Sequence, residues 1–419
     1  MAYKAPKGTK DVLPEESYRW QQLEALMRDV VRKYGLREAR TPVIEHTELF
    51  LRGVGSTTDI VQKEMYTFLD KGERSITLKP EGTAGIVRLF VEHNLFGEAQ
   101  PTKLFYLNNP VFRYERPQAG RLREHHQFGV EIFGAPQASA DAECISIVLE
   151  ILNRIGLKGL SVRLNSIGCP SCRPRYHEAL REYLRSRYDE LCETCRTRYE
   201  LNPLRILDCK VPECGKIVAE APHITDYLCD DCRAHMEALC RLLDRMGVSY
   251  ELTPTLVRGL DYYTKTVFEV FSNRIGSQGA ICGGGRYDGL VQELGGPACP
   301  GVGFGMGMER LLLLMQESGV DFPVPPRYDL YIASIGDAAN VEAFALVQAL
   351  RARGFRADID HVGRSMKAQF KYADKVGARY VLTLGDQELE QGSAKLKHME
   401  DGTEFAVALT AEAVAERLV

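Results

Sequence analysis

Residues 301 to 307 read Gly301-Val302-Gly303-Phe304-Gly305-Met306-Gly307, with a glycine at every second position. In an extended strand successive side chains point to opposite faces, so such a segment carries no side chain on one whole face. A face stripped in this way either lets a helix pack closely or forms a floor on which a flat ligand lies. The pair Glu309-Arg310 directly after it favours a polar ligand. The spacing is not that of the dinucleotide-binding fingerprint, and no phosphate-binding GxxxxGK[ST] loop occurs anywhere in the chain, which disfavours Rossmann and P-loop nucleotide sites.

The remaining composition is that of a globular protein: 419 residues, 45% hydrophobic, 26% charged. Such a length suggests about two or three domains. No run of 18 apolar residues exists, and the opening MAYKAPKGTKDVLPEE lacks the apolar core of a signal peptide, so a soluble, cytoplasmic protein with no membrane partner is expected. A net charge of -4 supplies no global field for nucleic acid, and RNA binding must rely on local patches.

Nine of the 12 cysteines fall between Cys169 and Cys240, marking that stretch as a unit of its own. A second boundary lies at Phe322-Pro323-Val324-Pro325-Pro326, where the prolines favour an extended linker. The chain therefore divides into a body (1–165 and 249–322), a Cys-rich insertion (166–248) and a C-terminal module (327–419). In the body, Leu23, Leu26, Met27, Val30, Val31 and Tyr34 recur at helical spacing. Segments 41–45, 76–78, 104–107, 111–115 and 127–133 read as strands joined by short turns, which predicts an antiparallel sheet flanked by helices. In the C-terminal module, strand patterns at 328–333, 357–360 and 380–384 alternate with helices at 341–353 and 365–376, predicting a small α/β domain with a parallel or mixed sheet. Between Arg351 and Arg379 stand eight Lys/Arg against three Asp. That is either solvated helix surface or a basic face.

Two further segments carry chemistry. Arg113 and Glu115 occupy alternate positions of a strand, and Arg116, Arg121 and Arg123 follow on its loop. The planar guanidinium fork suits phosphate and carboxylate, so this hairpin suggests polyanion handling. Leu256-Val257-Arg258-Gly259-Leu260-Asp261-Tyr262-Tyr263 and Gly284-Gly285-Arg286-Tyr287-Asp288-Gly289 combine hydroxyls, carboxylates and a glycine turn fit for a tight polar pocket.

Together these segments resemble one family. The 112–115 strand with its loop resembles motif 2 of class II aminoacyl-tRNA synthetases, 301–310 resembles motif 3, and Thr41-Pro42-Val43 resembles the motif 1 interface segment. The 256–263 and 284–290 peptides are similar to two that are peculiar to histidyl-tRNA synthetases. The resemblance runs from Lys7 into the C-terminal module, which looks like an anticodon-binding domain. It implies an α+β class II catalytic domain and a homodimer acting on L-histidine, ATP with Mg²⁺, and tRNA(His). Arg113 and Arg258 match the catalytic arginines on either side of the α-phosphate. Glu81, Gly82, Thr83 and Gln127 match positions around the amino-acid backbone, and Glu131, Tyr262 and Tyr263 match the imidazole pocket. For ATP, the resemblance implies Arg113, Glu115, Arg121, His125 and Arg310. The family usually has Phe where this chain has His125; an imidazole stacks on adenine with less apolar area, and its titration would make ATP affinity vary near pH 6.

The resemblance does not carry metal into the insertion, where the family varies. Cys169-x2-Cys172 with Cys192-x2-Cys195 has zinc-ribbon spacing, and Cys209-x4-Cys214 with Cys229-x2-Cys232 offers a second set. The alternatives are one or two structural zinc ions or unligated thiols in a packed insert. Arginines 173, 175, 181, 185, 187, 196, 198 and 205 make the insert a candidate clamp on the tRNA acceptor arm. The rival reading is the non-catalytic, synthetase-like regulatory subunit of ATP phosphoribosyltransferase, a family that tends to lack the C-terminal module and to degrade the arginine-bearing peptide.

Overall fold

The computed structural model describes residues 3–55, 58–272, 279–325 and 327–418. Pro326, the last residue of the expected linker, lies outside them. The chain separates into two compact units, Met1–Phe322 and Pro323–Val419.

The first unit is built on an eight-stranded sheet. Its order is Arg37–Glu38, Thr102–Phe112, Glu124–Phe133, Gly301–Gly307, Ala280–Arg286, Thr264–Ser272, Leu160–Ser166 and Tyr250–Leu252. The two outermost pairings are parallel and the inner ones antiparallel, as the short turns between strands predict. One face is covered by the helices Pro14–Lys33 and Ala138–Ile155. The first opens with proline and Glu15-Glu16 and closes with Arg32-Lys33, each end matching the helix dipole. It buries Leu23, Met27, Val30 and Val31 against Ile145, Val148 and Leu152. The second stops at Gly156, whose φ of 91° gives the left-handed cap. A smaller antiparallel sheet orders Ile44–His46, Ser75–Leu78 and Tyr66–Leu69.

Two strand assignments are corrected. Strand pairing begins at Ile44, so Thr41-Pro42-Val43 precede the edge strand. The strand expected at 111–115 is the end of the longer strand Thr102–Phe112, and Arg113 and Glu115 lie beyond it and do not share a sheet face. The cause is local: Arg113 N still bonds Arg123 O at 2.8 Å, but Tyr114 N turns away to Glu64 O at 2.7 Å.

In the Cys-rich stretch the helices Arg173–Arg185, Glu193–Leu201 and Pro212–Ala219 lead into Asp230–Arg245. Buried Tyr176, Leu180, Ile206 and Ile217 of this stretch join Ile86, Phe90, Tyr287 and Leu290 of the body in one apolar cluster. The second unit holds a five-stranded mixed sheet ordered Ala357–Ile359, Tyr328–Ser334, Ala378–Leu384, Ser393–His398 and Glu404–Ala408. The first three strands are parallel, as expected. The final hairpin and the helix Ala411–Leu418 extend that pattern.

Candidate active site

The alternating glycines do form a floor, and the neighbouring strands widen it. Strand register sets Tyr106 opposite Gly129, Gly129 opposite Gly305, Gly305 opposite Gly283, and Gly283 opposite Glu269. Three glycines in a row thus lie between a phenol and a carboxylate. In the adjacent row Glu131 pairs with Gly303, and Gly303 with Gly285. The bare positions are needed: a Cβ on Gly129 would lie 2.1 Å from the Tyr106 ring, one on Gly303 2.0 Å from the Glu131 carboxylate, and one on Gly283 2.2 Å from the Arg258 guanidinium. Among the described residues away from its chain neighbours, a Cβ on Gly305 would meet nothing closer than the Gln127 amide nitrogen and the Tyr106 hydroxyl, each at 4.0 Å.

At one end of this floor stand Glu81, Gly82, Thr83, Glu131, Tyr262 and Tyr263. The Glu81 carboxylate accepts the backbone N–H groups of Thr83 and Ala84, each at 2.8 Å, and so caps the buried start of the helix Thr83–Glu92. Gly82 leaves room for the Tyr106 ring, which a Cβ would meet at 2.6 Å. Glu131 is fully buried and accepts from Thr83 Oγ1 at 2.8 Å, Tyr106 Oη at 3.4 Å and the Tyr287 hydroxyl. Burial pushes its carboxyl up to about 8, the hydroxyl donors only partly opposing this. Tyr262 and Tyr263 are buried with ring centroids 4.7 Å apart, and Tyr262 meets Tyr287 edge-on at 5.7 Å.

Arginines stand beside these groups. Arg113 donates from Nε to Pro80 O at 2.8 Å. Arg121 donates from Nε to Glu115 at 2.7 Å. Burial lowers the pKa of both Arg113 and Arg310, and the Arg121 charge lowers each further, a repulsion that a bound polyanion would relieve. Arg258 lies over Gly283 and pairs with Glu269. Its Nε and that of Arg310 are buried without a hydrogen-bond partner among the described residues. His125 contradicts the expected titration near pH 6: burial, then the Arg113 charge, lowers its pKa to about 3, so the ring stays neutral. The neighbouring His126 differs: burial lowers its pKa, but the hydrogen bond to Glu309 at 2.7 Å together with the charges of Glu309, Glu124 and Glu24 raises it on balance.

Sequence reasoning missed Tyr106, Glu269 and Glu64, the last a carboxylate whose charge raises the pKa of Arg113 against burial. Glu269 had a signal, a lone carboxylate in the apolar alternation of strand Thr264–Ser272. Tyr106 and Glu64 had none. Arg286 turns out to be structural: it is completely buried against Asp141 and donates to Ala135 O at 2.9 Å.

The eight paired thiols regroup relative to the spacing argument. Cys169, Cys172, Cys229 and Cys232 form one cluster and Cys192, Cys195, Cys209 and Cys214 another, each with all sulfurs within 4.8 Å. The sequence-adjacent pairs 172/192 and 214/229 are therefore not partners. Several arginines of the Cys-rich stretch are engaged within the chain: Arg173 with Tyr263 O, and Arg198 and Arg205 with Asp59 at 2.7 and 3.3 Å.

A glycine-floored antiparallel sheet that carries both an arginine-rich hairpin and a buried carboxylate defines a class II aminoacyl-tRNA synthetase fold. The family model for histidyl-tRNA synthetase matches residues 8–311, and that for the anticodon binding domain matches 329–418. A histidine--tRNA ligase of Caldanaerobacter subterraneus is 59% identical over 97% of both chains, and one of Clostridium perfringens 55% over 98% of both. The apo histidyl-tRNA synthetase of S. aureus superposes with a TM-score of 0.84 at 39% identity, covering 100% of each chain. The chain belongs to the histidyl-tRNA synthetase family. A Bacillus halodurans structure titled ATP phosphoribosyltransferase regulatory subunit/histidyl-tRNA synthetase shares the fold at 23% identity and a TM-score of 0.66, covering 92% of this chain and 99% of its own. With ligases at 55–59% identity over nearly the whole chain, the regulatory-subunit reading is set aside.

Proposed function

We propose that this chain activates L-histidine with ATP and transfers it to the 3′-terminal adenosine of tRNA(His). In the first step a histidine carboxylate oxygen attacks the α-phosphorus and pyrophosphate leaves. In the second the terminal ribose hydroxyl attacks the histidyl carbonyl carbon and AMP leaves. Both reactants of the first step are anionic, so the protein's contribution is charge neutralisation and positioning.

Arg113 and Arg258 take opposite sides of the α-phosphate, and neither guanidinium loses its charge at neutral pH. Arg310, Arg121 and Glu115 act at the polyphosphate, where Mg²⁺ enters with the ATP, and His125 stacks on adenine. Glu81, Gly82, Thr83 and Gln127 surround the amino-acid backbone. Glu131 faces one imidazole nitrogen and the Tyr262-Tyr263 hydroxyls the other, a hydrogen-bonding arrangement that rejects analogues unable to pair. The observation that carries this reading is the glycine row Gly129-Gly305-Gly283 with Arg258 seated on its last member and Glu131 beside its first.

A second copy of the chain is the partner proposed for the small sheet, whose Ile44, Phe68 and Leu69 are 47%, 46% and 67% exposed. The anticodon stem is assigned to the second unit, where Lys367, Lys371 and Lys375 recur at four-residue spacing, exposed on the helix Met366–Lys375. The insert is proposed as a separate module at 166–248 that holds structural Zn²⁺, and the protein as cytoplasmic. No helix among the described residues is long and apolar enough to cross a membrane.

Histidine-dependent exchange of pyrophosphate into ATP tests the central claim. Exchange stimulated by histidine and by no other amino acid is expected; none with histidine would overturn it.

A further inference from the structure

The two thiol clusters are built in the same way. Cys169 Sγ lies 3.7 Å from Cys172 Sγ and 3.9 Å from Cys229 Sγ, and Cys192 Sγ lies 3.9 Å from Cys209 Sγ. A disulfide would bring sulfurs to about 2.05 Å. Four sulfurs on a tetrahedral ion at about 2.3 Å stand about 3.8 Å apart, the edge of that tetrahedron. In each cluster a backbone N–H already donates to a sulfur: Cys229 N to Cys172 Sγ at 3.1 Å and Cys192 N to Cys214 Sγ at 3.3 Å. These donors suit thiolates, as does the position of Cys172, Cys192 and Cys229 at the N-termini of three helices. Gly168, at φ +67°, makes the turn into the first cluster, and a Cβ there would lie 2.7 Å from Cys172 Cβ.

The clusters are nested. The outer one ties together the two ends of the insert, and the inner one closes its tip. Each sends one side chain to the same short peptide of the body. Arg173, the residue after Cys172, donates from Nη2 to Tyr263 O and from Nε to Ile167 O at 3.4 Å. Asn202, between Cys195 and Cys209, donates from Nδ2 to Asp261 Oδ1 at 3.0 Å. Asp261 N in turn donates to Val54 O at 3.1 Å.

We propose that each cluster binds one zinc ion and that the two sites act as struts, the outer through Arg173 and the inner through Asn202, holding Asp261–Tyr263 in place at the histidine pocket. Each Zn²⁺ is held by four thiolates, with the thiol protons released to solvent on binding. The metal sites stand on the thiol geometry alone, whereas the effect on histidine rests on the function proposed above. Arg173 and Asn202 are positioning residues, not catalytic ones.

Elemental analysis of the full chain purified without chelator is expected to give two zinc ions per chain. Cys172→Ser and Cys195→Ser should each lose one, and Co²⁺ added to metal-free protein should produce the ligand-field spectrum of tetrahedral tetrathiolate sites. Zinc below stoichiometric amounts, or one ion shared by both variants, would overturn the two-site assignment. Because the cysteine variants could fail to fold, the strut is tested with Arg173→Ala and Asn202→Ala. Both should retain two zinc ions and raise the histidine KM about tenfold, with the ATP KM unchanged. An unchanged histidine KM in both would overturn the strut. Absence of histidine-dependent exchange in the unaltered protein would defeat the functional reading and leave the zinc count standing.

Discussion

Thr83 Oγ1 donates to Glu131 Oε1 at 2.8 Å, joining the first turn of one helix to the centre of the sheet. The carboxylate it meets is fully buried, and its pKa is raised by burial to about 8. A carboxyl with a raised folded pKa binds more protons folded than unfolded between about pH 4.5 and 8, so stability falls as pH rises across that window. Glu131→Gln removes this titration. The variant should show a Tm that falls less between pH 5 and pH 8 than that of the unaltered protein, while its histidine KM rises about 100-fold. Thermal unfolding at several pH values, paired with exchange kinetics, checks both; an unchanged pH slope would mean that Glu131 titrates normally.

Arg258 and Gly283 share one space. A methyl group at position 283 would come within 2.2 Å of the guanidinium, whose far end can swing aside more easily than the strand can move. Gly283→Ala should therefore mimic displacement of Arg258. We expect Arg258→His to lower the adenylation rate about 100-fold or more with little change in the ATP KM, and Gly283→Ala to lower it in the same sense by a smaller factor. Single-turnover adenylate formation measures this directly. A normal rate in Arg258→His would remove that residue from the transition state.

The glycine floor was legible in the sequence because it depends on a period of two, which needs no knowledge of neighbours, and the antiparallel sheet because its strands are joined by short turns. What lies opposite each glycine was not legible. Tyr106 faces Gly129 only through a register that includes an irregularity between Tyr106 and Asn109. The break after Phe112 was missed for a related reason: the competing acceptor, Glu64 O, comes from a distant part of the chain. The cysteine pairing failed on topology. Local spacing favoured neighbours in sequence, whereas the fold joins the first pair to the last. His125 looked titratable because its type suggested so, and only burial beside Arg113 shows a ring held neutral.

Arg286 and Asp141 are both completely buried and form an ion pair, with His235 Nε2 3.2 Å from the same carboxylate. Burial alone would raise the Asp141 pKa, but hydrogen bonding by His235 and the Arg286 charge hold it below the ordinary value. A depressed folded pKa contributes stability that is present above the unfolded value near 4 and lost as pH falls through the folded one. Asp141→Ala leaves the Arg286 charge buried without its main partner, and should cost about 3–5 kcal/mol. Urea unfolding at neutral pH tests this, and a loss below about 1 kcal/mol would show that water or Asp288 compensates.

On the second unit, the basic reading between Arg351 and Arg379 divides once partners are assigned. Arg351, Arg356 and Arg364 pair with Asp358, Asp329 and Asp360, so they serve the domain's own fold. Lys367, Lys371 and Lys375 project from one helix into solvent. Phosphate contacts by lysine weaken binding evenly across sequences and set its salt dependence. Replacing all three with Ala should raise the tRNA KM for aminoacylation about tenfold or more and flatten its dependence on salt by close to three phosphate contacts. Histidine-dependent pyrophosphate exchange, which needs no tRNA, should be unaffected. Measuring both reactions across a salt series separates the outcomes: a lost exchange reaction would point to misfolding, and an unchanged tRNA KM and salt slope would mean that the lysines are solvated surface.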